Sequence, residues 1–166
     1  MQELVYAALL DALEEMPRFL RYSLEGLSRE ALLRVPENDR SHLLEHLWHT
    51  RDCETDLYGL RIRRILAEDR PHLEPVDVVA WLEERGYEAR EGDAAIVEFE
   101  QERSRLLSEL RVLTPDQLAR TGVRADGSEI SVLAIIQQIA MHDQDHRQRV
   151  AAILRGFTEA ATPARG

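Results

Sequence analysis

Lysine is missing from this chain: all 21 basic residues are arginine. No Schiff base to a lysine amine is available for catalysis, and the bias fits a GC-rich genome. Cysteine occurs once, at Cys53. That excludes an internal disulfide and a cysteine-rich structural zinc site. No apolar run approaches the ~20 residues needed to cross a bilayer, and Met1-Gln2-Glu3-Leu4 does not open a secretory leader. The expectation is a cytoplasmic protein with no membrane partner. Glycine-rich nucleotide cradles of the GxGxxG or GxxxxGK[ST] type are absent, and no serine stands in a GxSxG elbow. An excess of positive charge is lacking too. The formal net charge is −10, the wrong sign for a surface that neutralises phosphates, so no nucleic-acid partner is expected.

What is present is helical patterning. The 166 residues are 44% apolar, enough for one globular domain, expected over residues 1–157 with a flexible tail at 158–166. Leu4, Ala8, Leu9, Leu13, Met16, Phe19 and Leu20 mark a first helix from about Glu3 to Leu24. Pro17 lies inside it and predicts a kink or a division. After a short capped turn at Ser28 and a loop around Pro36, Asn38 and Asp39, a second helix runs from Ser41, its expected N-cap, to about Glu68. One apolar stripe follows Leu43, Leu44, Leu47 and Trp48; another follows Cys53, Leu57 and Leu60. Pro71 and Pro75 open a crossing loop, and a short helix through Trp81 stops at Gly86. A third helix covers Asp93 to Val112, and Thr114-Pro115-Asp116-Gln117 starts another short turn. The segment Gly122 to Gly127 reads as a small hairpin or irregular loop. The last helix spans Ser131 to about Leu154. Strand signals are otherwise scarce. The fold class is all-α: a four-helix bundle with a long crossover between helices 2 and 3.

The chemistry resides in histidine. His142 and His146 stand four apart on the last helix, on one face, where two imidazoles can grip one divalent ion. A transition metal takes three or four protein ligands. The missing donor is sought in the upstream cluster His42, His46 and His49, among which periodicity does not choose. The simpler reading of such histidines is a surface or structural role. The pair is not HExxH, because position 143 is Asp. Asp145 sits at the wrong angle for a ligand. Cys53, one turn after His49, reads first as a small core residue and second as a thiolate ligand or nucleophile. His72 reads as solvent-facing, and Trp48 and Trp81 read as core aromatics.

Two motifs resemble the DinB-like superfamily of metal-binding four-helix bundles, which includes the YfiT-type hydrolases and thiol-dependent transferases. His49-Thr50-Arg51-Asp52-Cys53-Glu54 is similar to the HxxDxE run of that family's second helix. Ile139 to Gln148, with His142-Asp143 and His146, is similar to the HD-x-x-H run of its last helix. The spacing of Pro71, Pro75, Asp77 and Trp81 is also similar, and the likeness spans Tyr6 to Leu154. The resemblance implies a metal triad of His49, His142 and His146, with His46 as the alternative to His49. It implies a divalent cofactor such as Zn or Ni, with water in the open positions. Asp52, Glu54 and Asp143 are the expected supporting carboxylates. The implied function is a thiol S-transferase using a low-molecular-weight thiol of the bacillithiol or mycothiol type in stress or xenobiotic handling. A metal-dependent hydrolase is the runner-up. A non-enzymatic, stress-linked bundle with a structural metal is the third reading. Expected partners are a small-molecule substrate and a second copy of the chain as a homodimer.

Overall fold

The computed structural model describes residues 2–35 and 40–161. In chain order the elements are α1 (Gln2–Leu24), α2 (Arg29–Leu33), α3 (Leu43–Asp52), a π-helical segment (Cys53–Gly59), α4 (Leu60–Ala67), β1 (His72–Leu73), α5 (Ala80–Glu84), a 3-10 turn (Tyr87–Ala89), α6 (Gly92–Leu110), α7 (Pro115–Ala119), β2 (Thr121–Arg124), β3 (Glu129–Ser131) and α8 (Val132–Ala161). The fold is the expected four-helix bundle, built from α1, the continuous α3–π–α4 helix, α6 and α8. The long crossover from α4 to α6 carries β1, α5 and the 3-10 turn. Both α1 and α3 pack on α6 and α8, so the first two long helices lie diagonally across the bundle. The loop expected around Pro36 lies outside the described residues. So does the end of the tail, whereas α8 runs on to Ala161, past the stop expected near Leu154.

Two differences from the sequence reading have plain causes. The hairpin read around Gly122 to Gly127 is present as antiparallel β2 and β3, but β1 adds to it in parallel and makes a small sheet of order β1-β2-β3 that was not expected. Its strands are two, four and three residues long, too short for alternation to show in a sequence. The N-cap of α3 is His42 rather than Ser41. His42 Nδ1 accepts the Glu45 N–H at 3.1 Å, and Glu45 Oε2 accepts the His42 N–H at 2.9 Å. This reciprocal pair satisfies two orphan donors of the helix start and commits His42 to the backbone.

Pro17 does not divide α1. Its missing N–H leaves the carbonyl four residues earlier, that of Leu13, without its helical partner. Arg103 fills the gap: its Nη1 donates to the Leu13 carbonyl at 2.6 Å. The same guanidinium donates to Glu54 Oε1 (2.6 Å) and to Asp143 Oδ2 (2.7 Å). One buried arginine of α6 therefore ties α1, the π segment and α8 together. The buried apolar residues form two clusters. One holds Met16, Leu20, Leu47, Trp48, Trp81, Tyr87 and Phe99. The other holds Leu13, Ile62, Ile65, Leu107, Ile135 and Ile139. Arg103 is 1% exposed, and burying such a charge is tolerable only because its donors meet two carboxylates and a carbonyl.

Candidate metal centre

The second helix changes pitch where the motif residues sit. From Cys53 to Gly59 the chain is π-helical, which places one more residue in the turn and rotates the residues beyond it. Gly59 permits this: a Cβ there would lie 2.8 Å from the Glu54 carbonyl oxygen. The rotation turns Leu60 outward, to 51% exposure, so it leaves the stripe predicted with Cys53 and Leu57. It brings the Tyr58 ring to 5.6 Å from that of His142.

Four imidazoles meet between α3 and α8. Ring centroids lie 4.4 Å apart for His142 and His146, 5.3 Å for His49 and His146, and 5.5 Å for His49 and His142. His46 joins from the side, with its Nδ1 3.0 Å from Nδ1 of His146. His49 Nε2 lies 3.4 Å from Cys53 Sγ. Donor atoms of His49, Cys53 and His142 all fall within 4.8 Å of one another. His49 Nδ1 and His142 Nε2 are sealed from solvent with no hydrogen-bond partner in the protein. Buried polar nitrogens rarely go unsatisfied, and unprotonated imidazole nitrogens suit a borderline metal. The donor set therefore fits a divalent ion.

Electrostatics keep these rings neutral. Burial, followed by the neighbouring His46, lowers His49 to about 4. Burial and then His49 lower His142 to about 4. Burial and the three surrounding imidazoles push His146 lower still. Each ring is a free ligand at neutral pH rather than a cation. Burial, with Asp52 adding to it, raises the Cys53 thiol to about 12.

The carboxylates expected beside the metal ligands instead hold arginines. Asp52, fully buried, accepts from Tyr87 Oη at 2.9 Å and from Arg51 Nη1 at 2.9 Å, and it also pairs with Arg85. Glu54 and Asp143 share Arg103. Burial raises Asp143 to about 6 against the opposing pull of Arg103. These three carboxylates fix the helices that carry the histidines, and their bonds run to guanidinium groups and the Tyr87 hydroxyl rather than to imidazoles. The sequence reading missed Arg103, Arg85 and Tyr87. A signal for Arg103 was available: it stands four residues after Phe99 and four before Leu107, on the apolar face of α6. His72 is exposed, and Trp48 and Trp81 are buried, as read.

The cluster lies at the floor of a cleft of about 290 Å³. Val78, Val79 and Leu82 form an apolar wall, and Glu45, Asp145 and Arg149 stand at the rim. Asp145 is exposed, lines the same cleft and is paired with Arg149 at 2.8 Å. Among the described residues no helix is long and apolar enough to cross a membrane.

Comparison with known proteins agrees with this architecture. A search of curated proteins finds no significant match. Among solved structures, the chain is similar to YfiT from Bacillus subtilis, described as a probable metal-dependent hydrolase with an unusual four-helix bundle topology. The TM-score is 0.84 at 20% identity, covering 92% of this chain and 87% of that one. At that identity the likeness establishes the fold. The sequence profile of the DinB superfamily matches residues 12–150, a span that begins in α1 and ends in α8 and includes both histidine motifs. The chain belongs to the DinB superfamily.

Proposed function

We propose that His49, His142 and His146 hold a divalent metal ion at the floor of the cleft, and that the protein uses it as a thiol S-transferase. The observation that carries this reading is the meeting of three neutral imidazoles from two helices, with the Nε2 of His142 sealed and unpartnered, in an open cleft. Bound there, a Zn or Ni ion supplies Lewis acidity to a thiol or a water molecule in the cleft. The chain's own residues do the rest. His46 bonds His146 through Nδ1, the contact that fixes tautomer and ring orientation in a metal-ligating histidine. In this assignment His46 orients and His49 coordinates. Val78, Val79 and Leu82 line one side of the cleft and suit the apolar body of an electrophilic substrate.

The test begins with metal titration of the purified chain. His49→Ala and His146→Ala should each weaken Zn or Ni binding by at least the roughly tenfold to hundredfold that loss of an orienting partner costs, and His46→Ala by about that amount. An unchanged affinity in both His49→Ala and His146→Ala sinks the site. The loaded protein is then supplied with bacillithiol, mycothiol or another small thiol, together with an electrophile, and thiol consumption is followed. Turnover of esters or amides with no thiol consumed would move the assignment to a hydrolase, the reading that the likeness to YfiT favours.

A further inference from the structure

We infer that Cys53 is a fourth protein donor to the same metal ion, making the centre a mixed nitrogen and sulfur site rather than a three-histidine one. This rests on the metal-site reading above and goes beyond it.

Three observations carry it. Cys53 Sγ lies 3.4 Å from His49 Nε2. Two donors on one tetrahedral zinc ion, at bond lengths of about 2.3 Å to sulfur and 2.0–2.1 Å to nitrogen, stand ~3.5 Å apart. The pair is thus already spaced as an edge of such a site. His142 contributes the third atom of a group whose members all lie within 4.8 Å, and its Nε2 is buried with no hydrogen-bond partner. The backbone also places the sulfur. Cys53 opens the π-helical segment one turn after His49, and its N–H is bonded back to the carbonyls of His49 and Thr50. Its Cα is therefore fixed relative to His49 before any metal arrives.

The chemistry balances simply. Coordination replaces the S–H proton with the metal ion, and the proton leaves to solvent. A thiolate among imidazoles is a soft donor, which favours Zn, Co or Ni over Mg, Mn or Ca. With a fourth protein donor in place, a thiol or water in the cleft would reach the ion by expansion to five-coordination, which zinc tolerates.

Cobalt(II) titration of the full-length chain tests this without requiring turnover. One equivalent of cobalt bound by the wild-type protein should produce a near-ultraviolet sulfur-to-cobalt charge-transfer band. Cys53→Ser should lose the band and bind at least about tenfold more weakly. Cys53→Ala, the smaller apolar replacement, should behave alike while keeping the wild-type circular dichroism. The spectrum of the wild type decides the matter even if both variants fold poorly. Cobalt bound at one equivalent with no such band, or with a spectrum and affinity unchanged in Cys53→Ser, overturns the inference and leaves the three histidines standing. Absence of any cobalt binding overturns both.

Discussion

At the scale of single residues, the part a histidine plays is set by what surrounds it. His42 and His46 share the helix start with His49, yet His42 caps the helix and His46 bonds a neighbouring imidazole. The depressed pKa values have a stability consequence. His49 and His142 titrate near 4 in the folded chain and near 6.5 when unfolded. Between these values the unfolded chain binds more protons, so stability rises with pH across that window and is lost as pH falls from about 6.5 to 4. His146 acts in the same sense. Asp143, raised to about 6 from 3.8, binds its proton more readily when folded and opposes them over its own range. With three imidazoles against one carboxyl, denaturant midpoints of the metal-free protein should drop on acidification from pH 7 to 4.5. A flat profile would contradict the burial of these rings.

At the scale of the element, the π-helical segment decides which faces of the second helix meet the site. Gly59→Ala forces a methyl group against the Glu54 carbonyl, 2.8 Å away. The expected cost is about 1–3 kcal/mol, the range for inserting an extra methyl into a packed region. If the segment responds by reverting toward α-helical pitch, Cys53 and Tyr58 shift against His49 and His142, and metal affinity falls along with stability. Chemical unfolding and metal titration of the same variant measure the two effects separately. The helix start has its own test. His42→Ala removes the side-chain half of the capping box and should cost ~1 kcal/mol while leaving metal stoichiometry unchanged, because the His42 ring is committed to the Glu45 N–H.

For the whole molecule, the decisive residue is Arg103. Its five N–H donors reach Leu13, Glu54 and Asp143 on three other helices, and Asp143 lies directly beside His142. Arg103→Met strands two buried carboxylates and the Leu13 carbonyl freed by Pro17. Breaking a buried ion pair in this way typically costs about 3–5 kcal/mol, a large share of what a domain of this size holds in reserve. Replacing Glu54 and Asp143 with leucine in the same chain should recover much of that loss, since apolar substitution of a whole buried ionic group is often neutral or stabilising. Equilibrium denaturation of the single and triple variants distinguishes a stranded charge from a simple loss of packing volume.

The sequence alone determined the helices, their number and the long crossover, because helical periodicity, caps and prolines act within a few residues of one another. It also determined that His142 and His146 would stand on one face of the last helix, since one helical turn fixes their spacing. Tertiary structure alone decided that both His46 and His49 would meet that pair, that Pro17 would be matched by an arginine some ninety positions away, and that the motif carboxylates would hold guanidinium groups. It also decided the change of pitch at Cys53. These outcomes depend on contacts between residues far apart in the chain, and on a steric fit at Gly59 that composition does not encode. Local spacing specifies a face of a helix; only packing specifies what that face meets.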